Sequence, residues 1–293
     1  SRGLGDVYKR QVQVSGLNNF TSSLEELEEQ YVTYNDYHEL CSYKLGFHAE
    51  YTTDKKLLEG LAGLSEKYHA PVYTHNSETK REVEECRQRY GKSPTQLFEE
   101  MGLYRYGGGG YHCIWFDDED IDIFAKRNLS VITNPASNLK LASGIAPLKK
   151  MQEAGINLAI GTDGPASNNC LDMFREMFLV TGLAKLREHD AAVMDANDVL
   201  YMATTGGAKA MGLSDCDCLA VGKKADLFLM DLMQPNMQPE HNLTKNLVYS
   251  GSKQNVKLTM VNGKILYEDG QFFISEEPQE IYKKANEIVS RMK

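Results

Sequence analysis

Apolar and polar positions along this chain follow two periods. Over residues 54–68, "DKKLLEGLAGLSEKY", Leu57, Leu58, Leu61 and Leu64 recur at helical spacing behind an aspartate suited to the cap, and the pattern predicts a helix. "PVYTH" then reads as a strand ending at His75 and residues 80–90 as a charged helix. Ser93-Pro94 opens another helix, a cap residue followed by proline at the first helical position. Further strands are expected at 111–114, 129–133 and 156–162, with helices near 117–127 and 146–154 between them. Upstream, an acidic helical pattern over 25–40 leads into "YKLGFHAEY" (43–51), a short strand running into a loop.

Strands with carboxyl ends near residues 47, 75, 113, 133 and 162, separated by helical patterns, describe βα units and a parallel sheet. Two α/β architectures meet that description, a doubly wound sheet and a (β/α)8 barrel. No glycine-rich dinucleotide fingerprint follows any of these strands. "YGGGGY" (106–111) precedes one instead, and reads as a flexible turn. After helices at 171–186 and 197–211 the period changes. Residues 225–232, 245–251 and 256–270 read as alternating strands of a small β module, the last with an Asn262-Gly263 hairpin turn. An amphipathic helix over 278–293 follows.

Composition narrows the class. The 293 residues, 42% hydrophobic and 25% charged, suit a globular enzyme with room for one large domain and a smaller one. A formal net charge of -9 offers no global basic field to nucleic acid or an anionic membrane, and no apolar run approaches the ~20 residues that span a bilayer. Neither nucleic acid nor membrane is expected as a partner. Six cysteines (Cys41, Cys86, Cys113, Cys170, Cys216 and Cys218) lack the dense spacing of a secreted disulfide scaffold, which points to free thiols and a cytoplasmic protein. The opening "SRGLGDVYKRQ" has neither an initiator methionine nor the apolar stretch of a signal peptide. It is read as a non-native artefact, and the open reading frame as a fragment. The expected division is 1–11 artefact, 12–212 barrel units, 213–275 small β domain and 276–293 terminal helix.

In a parallel barrel the reactive groups collect at the carboxyl ends of the strands. Here those ends carry His48, His75, His112 and, in "AIGTDGPASNN", Asp163. A single strand-end histidine or a Gly-Asp turn is ordinary structure. Three histidines from a total of seven, in successive units, with an aspartate at the last, favour a site. Glu78 follows His75 at i+3, so a carboxylate sits in the loop above an imidazole. Imidazole and carboxylate suit zinc or iron(II), whose bound water loses its proton near neutral pH. Asp163 can then serve as ligand and proton acceptor, and His112 can stabilise developing charge. "HAE" at 48–50 mimics the opening of the zinc nucleobase deaminase signature, but the Pro-Cys-x-x-Cys half is missing and the signature is rejected. Cys216-Asp217-Cys218 reads as a surface loop.

"VYTHNSET", "YHCIW", "NPASNLKLASGIAP" (134–147), "GTDGPASNNCLDMFREM" (161–177) and the closing "KADLFLMDL…VNGKILYEDG" resemble the amidohydrolase superfamily, in particular its 5-methylthioadenosine/S-adenosylhomocysteine deaminase branch, which also includes triazine chlorohydrolases. The resemblance runs from about residue 20 to 273. It implies a TIM-like (β/α)8 metal-dependent hydrolase barrel beside a small β domain, with one divalent metal, zinc or alternatively iron(II). It further implies that His75 and Asp163 are metal ligands, that Glu78 is proton shuttle and substrate contact, that His112 is the catalytic imidazole, and that His48 and Asp163 face the substrate. The implied reaction is hydrolytic deamination of an adenine-type nucleoside, with Glu78 protonating a ring nitrogen and ammonia leaving.

One departure stands out: the family's His-x-His, source of two more metal ligands, occurs nowhere among the seven histidines. About five of eight barrel units are visible, so the first three units, those two histidines and half of the β domain are expected upstream of this chain. An open arc would expose the edge strand near 43–47, and two donors are too few for tight metal binding. The chain alone is therefore expected to be inactive. Two rival readings are a hydrolase of another heterocycle, triazines included, and a non-catalytic binding protein with a degenerate metal site. A homo-oligomer is left open.

Overall fold

The computed structural model describes residues 8–10 and 24–292. Of the opening stretch set aside above, residues 1–7 and 11 lie outside the described residues, whereas Tyr8–Arg10 form a strand, β1, paired in parallel with β2 (Cys41–Tyr43). The helix Leu24–Asn35 lies between them in sequence.

Five strands build the main sheet: β3 (Leu45–Gly46), β4 (Val72–Asn76), β5 (Gly108–His112), β6 (Ser130–Thr133) and β7 (Asn157–Ile160). They lie in chain order, every neighbouring pair parallel. Helices Lys55–Tyr68, Lys80–Tyr90, Asp118–Lys126 and Leu148–Glu153 fall in the intervals, so the α/β alternation expected from the hydrophobic pattern is present. Their starts follow from local chemistry. Asp54 accepts the N–H of Leu57 (2.8 Å), and Thr79, Ser93 and Asp117 each open a capping box with the residue three further on.

One face of the sheet packs on these helices through a continuous core that includes Leu45, Val72, Phe98, Phe124, Val131 and Leu158. The other face carries Tyr73, Tyr111, Ile132 and Ala159, with Ala210 against them. Register explains that second face: His75 is level with Tyr111, Tyr111 with Ile132, and Ile132 with Ala159, a single row of side chains across four strands. On one side the outer strand among the described residues is β3, whose Leu45 is buried, as is Phe47 just beyond it. On the other, the segment Met202–Gly206 packs over β7.

Three expectations need correction. The glycine run is not a turn: Gly108–Gly110 form the first half of β5, because a side chain at Gly108 would strike the carbonyl of Val72 and one at Gly109 the carbonyl of Ser130. The backbones on either side come too close for anything but glycine. Residues 245–251 are not a strand; Leu243–Tyr249 is a helix whose cap, Asn242, accepts the N–H of Lys245 at 2.9 Å. A short alternating run has the same composition as one buried helical turn, and here the cap decides. The helix expected over 197–211 is α-helical at Ala196–Tyr201 and Gly207–Met211 but π-helical at Met202–Gly206. There the carbonyl of Gly206 turns to accept the Asn157 side chain (3.0 Å), and the glycine lies directly against the carbonyl of Leu158.

A second, antiparallel sheet follows: β8 (Leu227–Met230), β9 (Val256–Val261), β10 (Lys264–Glu268) and β11 (Gln271–Phe272), in the order β11-β10-β9-β8. Asn262 and Gly263 both adopt positive φ (47° and 78°) in the β9–β10 hairpin, the geometry such a turn requires. The last helix is Pro278–Arg291. No helix among the described residues is long and apolar enough to cross a membrane.

Candidate active site

The carboxyl ends of β3, β4, β5 and β7 bring together the residues singled out in the sequence. His75 is the penultimate residue of β4 and His112 the last of β5, while His48 and Asp163 lie just beyond β3 and β7. The rings of His48 and His75 have centroids 4.8 Å apart, and those of His75 and His112 are stacked at 5.4 Å. His75 also lies 5.6 Å from the ring of Tyr111. Consecutive residues of a strand point to opposite faces, yet Tyr111 and His112 both meet His75. The backbone resolves the conflict, since His112 and Cys113 both take positive φ (69° and 51°) and turn the imidazole back over the strand end. Ser77 (50°) and Asp163 (57°) share that conformation, which costs non-glycine residues roughly 1–3 kcal/mol and collects where a site demands it.

Hydrogen bonds fix each group. His75 Nδ1 lies 2.7 Å from the carbonyl of His48; a carbonyl only accepts, so Nδ1 carries the proton and Nε2 keeps the lone pair. Asp163 accepts the Ser137 hydroxyl on Oδ2 (2.6 Å) and the N–H of Gly164 on Oδ1 (2.6 Å). Glu78 accepts the Ser143 hydroxyl (3.0 Å), and its other oxygen is 3.7 Å from Nε2 of the buried His112. His48 Nδ1 is paired with the Thr52 hydroxyl at 3.1 Å. Behind Glu78, buried Glu82 accepts the N–H groups of Ser77 (3.0 Å) and Glu78 (2.8 Å) and so pins the turn that carries it. Burial pushes the carboxyl of Glu82 up to about 7 despite those donors.

The electrostatics separate the groups by charge. Burial, reinforced by nearby His112, lowers His75 to about 4, so its ring is neutral at pH 7. His48 is likewise lowered by burial, with Glu78 and Asp163 pulling the other way. Burial alone would raise Asp163, but the Ser137 and Ser167 hydroxyls, the Gly164 N–H and nearby His112 together outweigh it and hold the carboxyl below its ordinary range. A neutral imidazole with an available Nε2 and an ionised carboxylate are two donors suited to a divalent cation. Among the described residues, no three His, Cys, Asp or Glu side chains gather into a set that could hold a metal ion.

Several contributors were not identified from sequence: Ser137, Asn138 and Ser143 after β6, and Glu82. Thr79-x-x-Glu82 is a readable capping pattern and could have drawn attention to Glu82. Ser137, Asn138 and Ser143 belong to "NPASNLKLASGIAP", a stretch noted in the sequence without a role.

A parallel β/α arc with histidines and carboxylates at its carboxyl edge is the arrangement on which β/α-barrel enzymes build their active sites. The sequence profile of the amidohydrolase family matches residues 16–266, and the chain belongs to that family. The 5-methylthioadenosine/S-adenosylhomocysteine deaminase of Dictyoglomus thermophilum is 41% identical over 250 residues, 84% of this chain and 59% of that protein. The 5'-deoxyadenosine deaminase of Methanothermobacter thermautotrophicus is 39% identical over 233 residues, 80% of this chain and 54% of that protein. Among solved structures, an adenosine deaminase from Xanthomonas campestris with bound zinc superposes with a TM-score of 0.89 at 33% identity, covering 96% of this chain and 65% of that one. Atrazine chlorohydrolase from Arthrobacter aurescens complexed with zinc shares the fold at a TM-score of 0.83 and 21% identity, over 93% of this chain and 62% of that one. The chain thus spans less than two thirds of the length of each.

Proposed function

We propose that the protein to which this chain belongs is a divalent-metal-dependent aminohydrolase that deaminates adenine-type nucleosides such as 5-methylthioadenosine or S-adenosylhomocysteine, and that it acts in the cytoplasm. The observation that carries this reading is the convergence of His48, His75, Glu78, His112 and Asp163 at one edge of the parallel sheet, in a chain whose relatives are named for such deaminations. In this reading residues 12–212 carry the reaction and residues 213–275 contribute to a small β domain.

His75 through Nε2 and Asp163 would hold the metal, zinc by analogy with the zinc-bound neighbours, together with histidines supplied from outside the described residues. When bound, a divalent metal lowers the pKa of water and furnishes a nucleophile near neutral pH. The rest falls to side chains. Asp163, ionised and held by Ser137 and Gly164, takes the proton of the attacking water. Glu78 delivers a proton to a ring nitrogen of the base as the oxygen adds to the carbon bearing the amino group. The proton held by Asp163 then passes to that amino group, the C–N bond breaks and ammonia leaves, and the remaining proton of the added oxygen returns to Glu78. His112, whose Nε2 lies 3.7 Å from Glu78, can accept a proton there and so balance the charge that develops beside it. His48, at the rim, contacts the substrate.

The test is a chimera in which residues 24–273 replace the matching segment of the Dictyoglomus thermophilum relative. With zinc it should release ammonia from methylthioadenosine or S-adenosylhomocysteine, and Glu78→Gln should cost about 10²–10⁴-fold in kcat. Chloride from a chlorotriazine with no ammonia from any adenine nucleoside would replace this reading with the triazine one. The 293-residue chain by itself, with two donors, should turn over neither.

A further inference from the structure

Of the five parallel strands, β6 is the one whose end supplies none of the five candidate groups, yet the segment after it touches three of them. Ser137 donates to Asp163, Ser143 donates to Glu78, and Asn138 Oδ1 lies 2.7 Å from His112 Nδ1. The segment is itself tied to its surroundings. The N–H of Ala136 is held by buried Glu176 (3.0 Å), Lys140 reaches the carbonyl of Ala166 (2.7 Å), and the Trp115 indole donates to the carbonyl of Ser143 (2.9 Å).

We propose that Asn138 is a positioning residue that fixes the proton of His112 on Nδ1 and thereby presents Nε2, unprotonated, to Glu78. The main chain of Asn138 is fixed in place. It is 2% exposed, its backbone N–H is bonded to Asn134 and its carbonyl to the N–H of Ser143. His112 is equally fixed: 1% exposed, stacked on His75 and turned by its positive φ. A buried amide oxygen facing Nδ1 requires a proton there, since two acceptors in contact would leave both unsatisfied. The contact at 3.7 Å on the opposite side is too long to impose the other tautomer. His75 is set in the same way by the carbonyl of His48, so both rings carry their proton on Nδ1.

The inference takes its meaning from the proposed role of His112, but its test needs no turnover. Long-range ¹H–¹⁵N correlation spectra of the labelled full chain, at a pH where the ring is neutral, report which imidazole nitrogen bears the proton; His112→Gln identifies the resonance. His112 should show Nδ1–H in the wild type and in Asn138→Asp, which keeps an oxygen at the same place, and should shift to Nε2–H in Asn138→Ala. Ser143→Ala, a neighbour that contacts Glu78 instead, should leave the tautomer unchanged. A wild-type ring protonated on Nε2, or an Asn138→Ala variant that keeps Nδ1–H, overturns the proposal. The wild-type measurement decides even where Asn138→Ala does not fold.

Discussion

The two sheets of this molecule are held in different ways. Every residue of β6 and β7 is buried, whereas β10 has no buried residue and β8 none either. A parallel sheet covered on both faces leaves its strands no room to shift, and an antiparallel sheet can keep one face in water. All five candidate groups stand at the carboxyl edge of the first sheet, in its strands or just beyond them. Their close spacing requires strands that cannot slide, and the four positive-φ residues beyond or at the strand ends, Ser77, His112, Cys113 and Asp163, require surroundings that over-determine them. The second sheet carries no such demand among the described residues.

The largest expected effect is in the helical layer under β4 and β5. Phe98 is fully buried, edge-on to Phe47 (5.0 Å) and Tyr104 (6.2 Å), and Tyr104 in turn meets Phe124 (5.6 Å). Phe98→Ala removes a ring from the middle of that series and should cost about 3–5 kcal/mol, read as a lowered urea midpoint. A loss below about 1 kcal/mol would mean that the layer repacks, and the contrast between the sheets would fail.

A smaller effect isolates a buried charge in the same layer. Asp120 is fully buried, paired with the Ser93 hydroxyl and the N–H of Asp117 (3.0 Å), and Arg87 is bridged to Asp117 close by. Burial lifts its carboxyl from 3.8 to about 6. The folded state therefore favours the protonated form. This contribution is complete below the unfolded value and is lost as pH rises through the folded one. Asp120→Asn keeps the shape without the titration. The stability that wild type loses between about pH 4 and about pH 7 should shrink by about 2–3 kcal/mol in the variant. Equal slopes in the two proteins would show that Asp120 is solvated and the layer open.

How much of this was legible follows the range of the cause. The helix Lys80–Tyr90 and the strand-end histidines were readable because caps, periodicity and strand ends are local signals. So was the five-strand alternation. The strand role of Gly108 and Gly109 was not, since the reason lies in the carbonyls of Val72 and Ser130 on neighbouring strands. Asn138 was silent for the same reason. It is one polar residue of a short helix, and its value depends on a ring 26 positions earlier in the chain. The π-helical turn at Met202–Gly206 likewise answers to β7. Local chemistry writes elements and candidate groups into sequence, while contacts between distant segments, which tune those groups, leave no periodic trace.

The smallest expected effect lies on the second sheet and puts the comparison to its closest test. Leu229, in the middle of β8, is 54% exposed although its pairing partner Leu258 is buried. Most of the transfer free energy of a leucine is gained only on full burial, about 1.5–3 kcal/mol, so a side chain already half in water has little to lose. Threonine keeps the strand preference and shortens the exposed end. Leu229→Thr should therefore change stability by no more than about 0.5 kcal/mol in the urea melt that registers Phe98→Ala. A cost of several kcal/mol, dependent on protein concentration, would show that this face is covered in solution by another copy of the chain. The second sheet would then be as confined as the first, and confinement alone would not explain why the reactive groups stand where they do.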